Sequence, residues 1–275
     1  MSSLSPIPRH KRLPDPVRLF SEYMRLTGTP SLAPEVGDRK LTGKSLGLVN
    51  GSTWVSLWGT WFGRTILPGV KLVHAGGDHV QLKFMAAHHA NEPCPPRANI
   101  RSFVNTAREL VAFHPVDAIL ITCSTMNRAA GEVRKALRTS RIPVVQIDEA
   151  MMERAVGRGG RILVIATHGP TVMSTQALLR ETAARLKREV AFDGATVEAA
   201  FDLLGKGEIV RHNRLIAQAI RAAQKHGSID TVVLAQLSMS VFALEHPDPM
   251  REFGVPVLTS GECGFQRVRE LLLAS

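Results

Sequence analysis

The sequence predicts an α/β protein of two pseudo-symmetric lobes, each a four-stranded parallel sheet flanked by helices. Three observations carry that reading. From Ser45 onward, eight short runs rich in Val, Ile and Leu alternate with longer helical patterns. The runs are continuously apolar, as expected of parallel strands buried on both faces rather than half-exposed antiparallel ones. The order of events also repeats. In each half the third run is followed by a Ser-containing turn, Cys123-Ser124-Thr125 or Gln236-Leu237-Ser238. The fourth follows a proline, in Ile142-Pro143-Val144-Val145 or Val255-Pro256-Val257-Leu258.

Taken in order, the expected strands are Leu46–Asn50, Val70–His74, Ala118–Thr122, Pro143–Ile147, Arg161–Ala166, Glu189–Phe192, Thr231–Ala235 and Pro256–Thr259. Helical patterns fall at Ile100–Ala112, Met126–Arg138, Met173–Leu186 and Arg211–His226, the last closed by Gly227. The repeat favours two sheets, from residues 45–147 and 148–260, over one continuous eight-stranded sheet. Trp54, Trp58 and Trp61 share a helical face, which reads as packing of the first helix on its sheet or as a pocket wall or subunit contact.

Residues 1–44 form a separate arm. They carry six of the 16 prolines and eight basic against four acidic residues, with a short helix expected between Pro16 and Gly28. The arm reads as an extension wrapping the body or a partner subunit of a homo-oligomer, or as a partly disordered segment.

Composition narrows the function classes. The chain has 275 residues, 44% hydrophobic and 21% charged, which suits a globular protein. The net charge of +10 comes from scattered residues with no basic run beyond Arg9-His10-Lys11-Arg12. No zinc-finger spacing or aromatic-basic RNA motif accompanies it, so nucleic acid is not the expected partner, and the charge favours small anions instead. No apolar stretch is long enough to span a membrane, and three widely spaced cysteines make no disulfide framework. A cytoplasmic protein is expected. Neither a metal-ligand spacing nor a GxGxxG or P-loop occurs.

In parallel sheets, ligands bind beyond the carboxyl ends of the strands. There the sequence places Asn50-Gly51-Ser52-Thr53, Cys123-Ser124-Thr125, Thr167-His168-Gly169-Pro170-Thr171 and Gln236-Leu237-Ser238. Hydroxyls and free helix N–H groups converging from these turns suit a carboxylate, although Ser or Thr at any one turn also reads as an ordinary helix cap. Asn50, Ser52, Thr53, Ser124, Thr125, Thr167, Thr171 and Ser238 are the expected substrate-binding set. Cys123 is expected at a helix N-terminus with a lowered pKa, or else as an inert core thiol. His168 lies in a strand-end turn and titrates near neutrality, though a loop histidine is the plain alternative.

These landmarks, in order, resemble the aspartate/glutamate/hydantoin racemase superfamily. Leu46-Gly47-Leu48-Val49-Asn50 resembles its first strand and substrate turn, and Asp117–Thr125 the strand and turn bearing its first catalytic cysteine. Ile142-Pro143-Val144-Val145 with Asp148–Val156 resembles the crossover between lobes. Arg161–Thr167 with Thr171 resembles the fifth strand and its turn, and Thr231–Met239 the second cysteine motif. The resemblance covers about residues 45 to 275. It implies a last helix near Gly264–Leu273 that crosses back, so that 261–275 join the first lobe. It also implies an active site in the cleft between the two lobes, and chemistry without metal, flavin or pyridoxal, hence no cofactor, with two thiols on opposite faces of a substrate α-carbon.

Where the second thiol belongs, this chain has Gln236, whose amide is not an acid or base near neutral pH. Gln236 can still hydrogen-bond a substrate. Three functions follow from the resemblance: a racemase or isomerase using Cys123 with His168 opposite, a one-cysteine lyase such as a decarboxylase, or a non-catalytic carboxylate binder.

Overall fold

A computed structural model describes residues 14–28 and 37–274. The basic run at 9–12, the rest of the expected arm at 1–13 and 29–36, and Ser275 lie outside the described residues. In chain order the elements are α1 (Pro16–Thr27), β1 (Ser45–Asn50), α2 (Ser56–Ile66), β2 (Lys71–Gly76), α3 (Asp78–His89), α4 (Arg97–Phe113), β3 (Ala118–Ile121), α5 (Ala129–Ala136), β4 (Val144–Gln146) and α6 (Glu149–Arg158). They continue with β5 (Arg161–Ala166), α7 (Gly169–Arg185), β6 (Ala191–Thr196), α8 (Glu198–Gly205), α9 (Ile209–His226), β7 (Thr231–Leu234), α10 (Ser240–Glu245), α11 (Pro249–Phe253), β8 (Val257–Thr259) and α12 (Ser260–Ala274).

The strands form two four-stranded parallel sheets ordered β2-β1-β3-β4 and β6-β5-β7-β8, one pattern repeated four strands later. Period-two alternation explains the apolar runs. In the first sheet Leu46, Leu48, Ala118 and Leu120 face one core, and Val49, Ile119 and Ile121 face another. In the second, Ile162, Val164, Ala166 and Val233 face one core, and Leu163, Ile165, Val232 and Leu234 the opposite one. Both faces of the central strands are therefore dry, as the continuous hydrophobicity required.

The edge strands depart from that expectation. β2 and β6 are half-exposed along their length. The sixth strand also runs later than the expected Glu189–Phe192, because an edge strand admits Asp193 and Gly194 and so carries no apolar run to mark it.

α12 crosses back to the first sheet. Its Phe265, Val268 and Leu272 join the core containing Leu46, Leu48 and Phe62, and Phe265 stacks on Phe62 with ring centroids 5.8 Å apart. Cys263, two residues before Phe265, packs instead with Met151 and Met152 of α6, so the helix touches both halves. The approach depends on Gly264. A Cβ there would lie 2.7 Å from the carbonyl oxygen of Ile147, on the crossover segment.

The expected short helix of the arm is α1, capped by the Asp15 carboxylate accepting from the N–H of Val17 at 2.9 Å. None of its residues is buried. It lies against α2, where the Arg64 guanidinium donates to the Thr27 carbonyl at 2.9 Å. Farther along, Leu41 is fully buried in the first core, and Asp38 pairs with Arg269 of α12 at 2.7 Å. The three tryptophans do not act as one stripe. Trp58 packs on the core, whereas Trp54, just before α2, and Trp61 are each about two-fifths exposed (40% and 41%). Among the described residues, no helix is long and apolar enough to cross a membrane.

Candidate active site

The first half of the site is built on the ends of β1 and β3. The Thr122 hydroxyl donates to Asn50 Oδ1 at 2.7 Å, which leaves the Asn50 amide N–H to face His74 Nδ1 at 3.1 Å. His74 Nε2 lies 3.0 Å from Thr60 Oγ1, whose hydroxyl donates to the Ser56 carbonyl at 2.9 Å. The chain of donors fixes His74 as the neutral tautomer protonated on Nε2. Burial agrees with this, pulling its pKa down to about 4.

Cys123 follows with extended backbone (φ −105°, ψ 110°), ahead of a three-residue 3-10 turn at Ser124–Met126. Its Sγ lies 3.0 Å from Thr125 Oγ1. The thiol fits because residue 51 is glycine: a Cβ there would come within 2.6 Å of the sulfur. The expected lowering of the Cys123 pKa is corrected by the structure. Burial pushes the thiol up, and hydrogen bonds from Thr125 and the backbone N–H of Met126 only partly offset it, while the charge of Asp148 pushes the same way as burial. The physical reason is that a single 3-10 turn stands where a helix was expected. α5 begins only at Ala129, so no full helix dipole points at the sulfur.

Asp148, at the start of α6, was not foreseen. It is fully buried, and its carboxylate accepts from the Ser124 hydroxyl at 2.8 Å and from the Gln146 side-chain amide at 2.8 Å. The Gln146 carbonyl in turn accepts the Asp148 backbone N–H at 2.7 Å. Desolvation raises the Asp148 pKa to about 6 against these bonds. In sequence it resembles any acidic helix N-cap, and only the tertiary structure shows that nothing solvates it.

In the second half, the paired register sets Ile165 beside Leu234 as it sets Val49 beside Ile121. Two residues on, Thr167 and Gln236 occupy the places held in the first sheet by Gly51 and Cys123. Gln236 is already engaged, because its Oε1 accepts both the backbone N–H and the hydroxyl of Thr167, at 2.6 and 2.8 Å. His168 is extended at the head of α7, and its ring meets the Phe201 ring edge-on with centroids 4.5 Å apart. Burial first, and the nearby His88 second, lower its pKa, against the opposing charges of Glu198 and Asp202.

One pocket of about 70 Å³ brings the two halves together. Of the expected residues, Ser52, Cys123, Ser124, Thr125, His168, Gln236 and Ser238 line it. Asn50, Thr167 and Thr171 lie behind it, buried, and the Thr171 hydroxyl has no hydrogen-bond partner among the described residues. Thr53 is misplaced in the expected set. It is exposed, and its N–H and hydroxyl bind the Asp78 carboxylate at 2.7 and 2.9 Å, depressing that carboxyl's pKa. The turn after β1 bends toward α3 after Ser52, and that direction has no sequence signal. Of the two readings of the tryptophans, packing on the sheet or a pocket wall, Trp54 takes the second: it lines the pocket and donates its indole N–H to Gln81 Oε1 at 3.2 Å. Among the described residues, no cluster of His, Cys, Asp or Glu is arranged to hold a metal ion.

The two-sheet architecture is shared with solved racemase structures. A glutamate racemase isoform from Bacillus anthracis superposes with a TM-score of 0.58 at 20% identity, covering 85% of this chain and 83% of that one. An allantoin racemase from Klebsiella pneumoniae gives 0.59 at 17% identity, covering 84% and 89%. The aspartate racemase of Picrophilus torridus gives 0.60 at 14% identity, covering 84% and 94%. The sequence matches no curated protein. Over residues 87–268, a span that includes Cys123, His168 and Gln236, it matches the Asp/Glu/Hydantoin racemase family, and the chain belongs to that family.

Proposed function

We propose that this protein is a cofactor-independent racemase or isomerase acting at the α-carbon of a small carboxylate, amino acid or hydantoin, with Cys123 as an acid/base and His168 as its counterpart. Family membership supports a racemase-type enzyme. The observation that carries the finer reading is that a thiol from the first sheet and an imidazole from the second line the same pocket, while position 236 offers only an amide. The resting states are complementary. Burial keeps Cys123 protonated and His168 neutral, so one begins as a donor and the other as an acceptor.

In one turnover His168 takes the α-proton and the Cys123 S–H delivers its own proton to the opposite face of the carbanion. This leaves an imidazolium and a thiolate, a form that acts on the opposite enantiomer; loss of the imidazolium proton to water and uptake of one by the thiolate return the starting form for the next forward turnover. In this reading the hydroxyls of Ser52, Thr125 and Ser238, which line the pocket, bind the substrate's carboxylate or carbonyl oxygens.

A one-thiol lyase is the second reading, favoured by the engagement of Gln236 with Thr167, which leaves His168 alone on the far side. There Cys123 would protonate a carbanion left by CO2. Incubation of the protein with amino acids, hydantoins and malonates in D2O, followed by NMR, separates the two. Exchange or isomerisation that Cys123→Ala abolishes supports the racemase. Loss of CO2 without racemisation supports the lyase. Unchanged activity in Cys123→Ala refutes both.

A further inference from the structure

The pocket divides chemically into two sides. Hydroxyls, the thiol, the imidazole and the Gln236 amide gather at the strand ends. The rest of the lining is largely apolar: Trp54, Val55, Val80, Phe84, Met85 and Phe201, contributed by the turn before α2, by α3 and by α8. No Arg, Lys, Asp or Glu lines the pocket, although the chain carries 34 basic residues in all. Val80 and Phe84 are almost fully buried (3% and 4% exposed), so this wall is anchored in the core. The Trp54 indole N–H is bonded to Gln81, and the Phe201 ring packs edge-on against the His168 ring.

We infer that the substrate of this site carries an uncharged apolar arm, aryl or branched alkyl, beside its reacting carbon, and that this arm lies on the Trp54–Phe84–Phe201 wall. The inference rests on the reading of this pocket as the place of reaction. A second carboxylate directed at that wall would give up its water with no charged side chain in the lining to replace it. An aryl group there buries apolar area on both surfaces and meets aromatic edges. The arm distinguishes this chain's chemistry from that of the glutamate, aspartate and allantoin racemases that share its fold, whose named substrates carry charged or ureido arms.

Binding and turnover are measured separately on the purified full chain. The binding arm is calorimetry with matched probes: phenylglycine, 5-benzylhydantoin and phenylacetate against aspartate, glutamate and allantoin. The expected result is binding of the apolar-armed probes tighter by about ten-fold or more, the scale of a few methylene-sized contacts. Met85→Lys, on the half-buried part of the wall, is expected to erase that preference, and Trp54→Ala, on its exposed rim, to weaken the apolar probes alone. Equal or tighter binding of the acidic probes overturns the inference, as does failure of all six to bind. The turnover arm is α-proton exchange with the same probes. Apolar preference without exchange leaves the inference standing and removes the racemase reading, and exchange confined to aspartate or glutamate does the opposite.

Discussion

Replacing Asp148 by Asn isolates the energetics of a buried carboxylate beside the proposed acid/base. The difference between its raised pKa of about 6 and the ordinary value of 3.8 corresponds to about 3 kcal/mol. The sign follows from proton binding. The folded chain holds this proton more tightly than the unfolded chain, so between pH 4 and pH 6 stability falls as pH rises, and it levels off above the folded pKa. Asn keeps Oδ1 as acceptor for Ser124 but turns an N–H toward the Gln146 amide, which costs about 1 kcal/mol for the lost hydrogen bond. Relative to the Asn variant, the wild type should therefore lose about 2 kcal/mol of stability between pH 4.5 and pH 7.5, ending as the less stable form. Urea unfolding of both forms across that range reads it directly. A stability difference constant to within about 0.5 kcal/mol would refute the account, because no other carboxylate changes between the two proteins. Iodoacetamide provides a second readout. Asp148 pushes the Cys123 pKa up, so the thiol in the Asn variant should alkylate faster at pH 8.

Two further substitutions probe the geometry. Gly51→Ala drives a methyl to 2.6 Å from the Cys123 sulfur, so the thiol must move; stability should drop by about 1–3 kcal/mol and exchange activity by far more than that loss explains. A variant with wild-type exchange rates would show that the sulfur's position is not critical. His168→Asn, assayed by deuterium exchange on each enantiomer separately, should lose exchange for one enantiomer only. Equal, near-wild-type exchange for both would take His168 out of the mechanism.

What could be read from sequence and what could not divides along physical lines. Central strands such as β3 and β5 announce themselves because both of their faces are dry, and strand-end turns follow from the strands. Cys123, His168 and Gln236 were legible for that reason, as was the repeated strand order. Edge strand β6 was blurred because half-exposure dilutes its pattern. Helices α8, α10 and α11 were missed because each is short, at eight, six and five residues, and too brief for a periodicity to show. Thr53, Trp54 and Asp148 depend on where a loop turns and on what a side chain meets from distant segments. A thiol's pKa is of the same kind, since burial and a carboxylate 25 residues away decide it.

The equivalence of Gly51–Cys123 with Thr167–Gln236 bears on how such a chain could change over time. Replacing Gln236 by Cys would change more than one side chain. It would strand the two Thr167 donors that the amide now accepts, and it would place the sulfur beside a branched side chain, where the first sheet presents only a hydrogen. The two positions are therefore coupled, and a substitution at either one is felt at the other.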